Sequence, residues 1–203
     1  IEKLGYIFDK RTEAEEFLDW REDVLKSINE KVDTISDEDK PKVYFEWYQP
    51  YYTSSYSYIE QSGGKNVFEA VSGDVNPEAV ANLSPDIIVK AAPWTFDAYG
   101  VDADNTSELK NASAEIFSRD ILKYVPAIEN KRVHIIAVQL LSGLPVSGCR
   151  QFLQLAYQAK WFHPDLFKDL DPQAIHQEYL TRFQGLDFDL DEKGAFVYPP
   201  PEE

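Results

Sequence analysis

The side chains with the widest chemical scope fall in three places. The stretch KVYFEWYQPYYTSSYSY, residues 42–58, carries six of the chain's twelve tyrosines together with Trp47. A tyrosine or tryptophan offers a large rigid ring with one polar tip, which suits the recognition of a bulky ligand better than the breaking of a bond. Trp94 and Phe96 repeat the theme in AAPWTF. Elsewhere the histidines His134, His163 and His176 and the acids of HPDLFKDLD, Asp165, Asp169 and Asp171, could be assembled into a metal site. Their spacing matches no zinc or calcium pattern, and a helix end running into an acidic loop explains them as well, so no metal is expected. The single cysteine, Cys149, begins an amphipathic segment where a thiolate could be favoured or the thiol could simply pack. SGLPVSG, residues 142–148, has neither a Gly-x-Ser-x-Gly elbow nor a phosphate loop.

The elements that must position these residues read as an α/β fold. Three short apolar runs, KVYFEW, DIIVKAA and RVHIIAV, are nearly continuous rather than alternating and are separated by helical patterns. Strands covered by helices on both faces look like this, so a central, mostly parallel sheet in a three-layer lobe is expected. Helices are expected near residues 54–62, 77–83, 107–124, 147–162 and 171–183. Asn76 is placed to cap the second, with Pro77 and Glu78 in its first turn. Ahead of them, apolar residues spaced by three, four and seven over residues 10–34 predict one long amphipathic helix of roughly 36 Å. SDEDKP, residues 36–41, breaks it.

Ligands of open α/β sheets meet the loops at the carboxyl ends of the strands. Those loops hold Trp47, Tyr48, Tyr51 and Tyr52 after the first run, Trp94 after the second and Ser142 after the third. Rings at successive strand ends favour a binding surface, although any one of them could instead pack beneath its loop.

The formal charge of −16, from 36 acidic and 20 basic residues spread along the chain, makes nucleic acid a poor partner. No apolar run is long enough to cross a bilayer. The chain starts at Ile1 and contains no methionine, so it is read as a fragment or a processed product, with any targeting sequence outside it.

The aromatic loop followed by YIEQSGGKNVF, then NPEAVANLSPDIIV, KRVHII and YQAKWFHPDLFKDLDP, resembles the second half of the solute-binding proteins of ABC importers. The subgroup is the one that handles iron-siderophore complexes, cobalamin and haem. The likeness runs from about residue 4 to 198 and lacks the family's first lobe. It implies an inter-lobe helical remnant at 1–40, a C-terminal solute-binding lobe at 41–198 and a tail at 199–203. It also implies a non-enzymatic protein with no cofactor of its own. The ligand would be a small metal chelate (an iron complex, corrinoid or haem) held against Trp47, Tyr48, Tyr51, Tyr52, Trp94 and Ser142. Delivery would be to an ABC permease through Glu78, whose place before LSPDIIV matches the family's docking acid. Location would be extracytoplasmic, with membrane anchoring of the full-length protein. The long helix, without a second lobe over its apolar stripe, would favour self-association. Two readings compete: a chelatase-like or metal-dependent enzyme domain using His163 and His176, and an interaction domain whose aromatic face meets a protein.

Overall fold

The computed structural model describes residues 1–92, 100, 101, 103, 105–141 and 148–201. In chain order the elements are α1 (Glu2–Ile7), α2 (Arg11–Val32), β1 (Lys42–Glu46), β2 (Tyr52–Thr53), α3 (Tyr58–Gln61), β3 (Lys65–Asn66), β4 (Gly73–Asp74) and α4 (Pro77–Leu83). They continue with β5 (Ile87–Ala91), α5 (Ser107–Phe117), α6 (Pro126–Glu129), β6 (Val133–Ile136), α7 (Leu153–Phe162), α8 (Pro172–Glu178) and β7 (Val197–Tyr198). Short 3₁₀ or π turns adjoin α5, α7 and α8.

The main sheet runs in the order β3-β1-β5-β6-β7 among the described residues. Its first four members are parallel and β7 is antiparallel. Every residue of β5 and β6 is buried, as is β1 after Lys42. Helices flank the sheet, which is the expected α/β architecture with β1, β5 and β6 at the expected runs. Parallel pairing puts their carboxyl ends, Glu46, Ala91 and Ile136, on one edge. A separate two-stranded ladder joins β2 to β4, with Tyr52 opposite Asp74.

Two helix starts follow the capping logic. Asn76 accepts the Glu78 N–H at 2.7 Å ahead of Pro77, and Asp171 accepts the Ala174 N–H at 2.9 Å ahead of Pro172. The glycine pair after α3 is required by space as well as conformation. Gly63 has φ +83°, and a Cβ on Gly64 would lie 2.8 Å from the Phe162 ring and 2.9 Å from Val43.

The stripe of the long helix α2 is covered within the chain at two points: Phe17 packs against Trp20, Phe152, Tyr179 and Phe183, and Ile28 is enclosed with Leu155, Ala156, Ala159 and Phe167. The Trp20 indole N–H reinforces this by donating to Glu178 at 2.9 Å. Ala14, Leu18, Val24, Leu25 and Val32 along the same stripe are half-buried, so the cover within the chain is partial. Exposed apolar side chains occur on and after α1, at Leu4, Tyr6, Ile7 and Phe8.

Candidate functional site

The carboxyl end of β1 is organised by a buried acid that the sequence reading passed over. Glu46, with no exposed surface, stands in register opposite Lys90 of β5. Its Oε1 accepts from Lys90 Nζ and, at 2.9 Å, from Arg119 Nη2. Its Oε2 accepts from Arg119 Nη1 at 2.7 Å, the Tyr51 backbone N–H at 2.7 Å and the Tyr44 hydroxyl at 3.1 Å. Arg119 also grips Glu115 through Nε and Nη2. Burial pushes the Glu46 carboxyl up, but the hydrogen bond from Arg119 and the charge of Lys90 outweigh it and hold the group below the ordinary carboxylate range. Such a cluster is tolerable inside a protein only because almost every charge meets several partners.

This hub fixes the turn that follows. The Trp47 N–H donates to the Tyr52 carbonyl at 2.8 Å, closing residues 47–52 into a tight loop. Tyr51 at its tip has φ +58°, a left-handed conformation that a non-glycine residue adopts at a cost. Glu46 offsets that cost by accepting the Tyr51 N–H, and Lys90 adds donations to the Trp47 and Tyr48 carbonyls at 3.2 and 3.4 Å. The Arg119 guanidinium lies 4.6 Å from the Tyr51 ring centroid. Burial raises the Tyr51 phenol above its usual range, and the nearby Arg119 charge only partly opposes this.

The crowd of rings divides into two groups. Tyr44 and Tyr56 are core, with Tyr56 stacked on Phe45 at 4.3 Å and 6°. Trp47 is half-buried edge-on to Phe45 and Tyr56, and its indole N–H donates to Ser54 at 2.7 Å. Tyr51 and Tyr52 are half-buried and Tyr48 is 44% exposed. The structure thus brings Trp47, Tyr48, Tyr51 and Tyr52 together on one strand-end turn, while Trp94 and Ser142 lie outside the described residues. Glu78 is exposed in the first turn of α4.

The histidines are dispersed into packing. His163, closing α7, bonds through Nε2 to the Gly63 carbonyl at 2.9 Å. His176 is fully buried against Tyr157 and Phe196, with Nδ1 3.2 Å from the Tyr157 hydroxyl. His134 stacks on Trp161 at 4.6 Å. Burial, assisted by Arg150 for one and Arg132 for the other, depresses both His176 and His134 to about 3. Among the described residues no group of three or more His, Cys, Asp or Glu is arranged to hold a metal ion. Cys149 lies 3.5 Å from the Tyr179 hydroxyl. No described helix is long and apolar enough to cross a membrane.

One signal could have revealed the hub from sequence. KVYFEW and DIIVKAA each carry a single charge near the end of an apolar run, of opposite sign, and parallel pairing sets them side by side. Arg119, which completes the arrangement, has no such signature.

Comparison with known proteins bears on this arrangement. The family described as periplasmic binding protein matches residues 1–139. A search of curated proteins finds no match. Among solved structures, the chain is similar to the TroA-like periplasmic binding protein FepB of Veillonella parvula. The identity is 24%, over 97% of this chain and 58% of that one, with a TM-score of 0.77. It is also similar to MolA, the molybdate periplasmic binding protein of Haemophilus influenzae, at 17% identity over 93% and 55% with a TM-score of 0.66. CeuE of Helicobacter pylori, solved with Ni(II), matches at 19% identity over 84% and 52% with a TM-score of 0.63. The chain therefore spans little more than half the length of these structures.

Proposed function

Since the chain belongs to the periplasmic binding protein family, we propose that it is the C-terminal lobe of a solute-binding protein that serves an ABC importer outside the cytoplasm. In this reading residues 41–198 form the lobe, residues 1–40 belong to the connection between lobes, 199–203 are a tail, and membrane anchoring lies with the full-length protein. It carries a metal chelate, meaning an iron complex, a corrinoid or haem, to a membrane permease and catalyses nothing itself.

The observation that carries the reading is the aromatic turn at 47–52, standing where parallel strands end and pinned from beneath by Glu46. Trp47, Tyr48, Tyr51 and Tyr52 supply ring faces and polar tips for one side of a bulky ligand, and Trp94 and Ser142 are assigned to the same wall from their place in the sequence. A bare ion such as the molybdate of MolA or the nickel of CeuE has little use for so much ring surface. Glu78, exposed at a helix start where the dipole favours a carboxylate, is assigned to docking on permease arginines. The enzyme alternative draws less support, because His163 and His176 are engaged in separate packing contacts.

The test is a binding titration of the full gene product with a ferric chelate, a corrinoid and haem, repeated with Tyr48→Ala. Binding of one ligand class, weakened by the substitution with stability unchanged, supports the reading. Binding unaffected by loss of the ring removes Tyr48 from the site.

A further inference from the structure

Resting on the function proposed above and extending it to the charge of the ligand, we propose that this wall is built for a neutral or positively charged chelate and discriminates against anionic ones. A wall that reads an anion must present cations with N–H donors to spare. Lys90 and Arg119, the cations shown touching the turn at 47–52, are both buried in pairs with acids of the same chain. Lys90 Nζ is directed at Glu46 and at the Trp47 and Tyr48 carbonyls. Four of the five N–H groups of Arg119 donate to Glu46 and Glu115, and its side chain is 7% exposed.

The charges of this quartet cancel, and its most accessible member is an acid: the Glu115 side chain is 46% exposed, whereas that of Arg119 is 7% exposed. Tyrosine and tryptophan faces carry a negative quadrupole that attracts cations. The chain's net charge of −16 acts in the same direction on an approaching ligand.

The experiment measures tryptophan quenching in the full gene product with four probes. Ferrioxamine B, a cationic ferric trihydroxamate, and cyanocobalamin, a neutral corrinoid, represent one class. A trianionic ferric tris-catecholate and haemin, with its propionates, represent the other. The better probe of the first class should bind at least about tenfold more tightly than either anion. That factor corresponds to about 1.4 kcal/mol of selectivity. Glu115→Gln, which removes one negative charge and releases part of Arg119, should tighten binding of the anions.

Equal or tighter binding of an anion by the unmodified protein, with affinity falling as salt rises, overturns the charge assignment and leaves the solute-binding function standing. No quenching by any of the four removes the functional reading and this inference with it.

Discussion

Replacing Glu46 by glutamine keeps the shape of the side chain and removes the charge on which the strand-end turn depends. Glu46 accepts from Lys90, from two nitrogens of Arg119, from the Tyr51 N–H and from the Tyr44 hydroxyl. Glutamine retains one acceptor oxygen and points an amide N–H at donors on its other side. Two buried cations lose their common counter-ion, a change that costs about 3–5 kcal/mol when one partner of a buried pair is removed. That is a large fraction of the roughly 5–15 kcal/mol by which a domain is stable. Lys90→Met is the milder comparison: Arg119 still holds Glu46 at both oxygens, so the loss is about 1.5–3 kcal/mol, the range of a hydrogen bond to a charged group.

Urea unfolding followed by circular dichroism gives both numbers, and amide exchange of Tyr51 reads the turn itself. The expectation is a large fall in midpoint for Glu46→Gln with little change in slope, and faster exchange at Tyr51 than at the amides of β6. If Glu46→Gln stays within about 1 kcal/mol of the parent and the Tyr51 amide remains protected, the carboxylate does not organise the turn and the reasoning fails.

Acid should destabilise the protein through His134 and His176, whose values fall from the ordinary 6.5 to about 3 in the folded state. Between those values the unfolded chain binds protons that the folded chain refuses. Stability is therefore complete above about pH 6.5 and is lost as pH falls, by roughly 2 kcal/mol per histidine between about pH 7 and 5. A urea midpoint that does not move over that interval contradicts the burial of both rings, and His134→Phe should remove about half of the slope. Trp47→Ala should weaken ligand binding by at least about tenfold, as expected for a buried aromatic anchor. Because Trp47 also packs on Phe45 and Tyr56, it should lower the melting temperature, which the exposed Tyr48→Ala should not. Glu78→Ala should leave ligand affinity and stability intact and reduce uptake and permease-stimulated ATP hydrolysis; normal uptake removes the docking role.

Much of this architecture is legible in the sequence because burial on both faces leaves a continuous apolar signature. KVYFEW, DIIVKAA and RVHIIAV fall on β1, β5 and β6, and Asn76-Pro77 marks a real helix start. What was not legible depends on tertiary pairing. The strands β3 and β7 are each two residues long, too short for any period, and β7 runs into a proline-rich end whose composition suggests a loop. The helix expected at 107–124 stops at Phe117, and Arg119 adopts an extended backbone at ψ 103° while its side chain bonds to Glu46. The helix expected at 54–62 shrinks to four residues, because Tyr52 and Thr53 form a ladder with Gly73 and Asp74 and Tyr56 is used by the core. In the candidate site, ring-rich composition marked the turn at 47–52, but it could not separate Tyr44 and Tyr56, which face inward, from Tyr48, which does not.

The central claim, that this aromatic strand-end wall holds a metal chelate, is tested most directly by the visible absorption spectrum of the full gene product purified from its own source. Ferric chelates, corrinoids and haem all absorb there, each with its own band shape. A stoichiometric visible chromophore that is lost on Tyr51→Ala while the fold is retained is the predicted result. A colourless protein that stays colourless when supplied with each of the three ligand classes contradicts the claim.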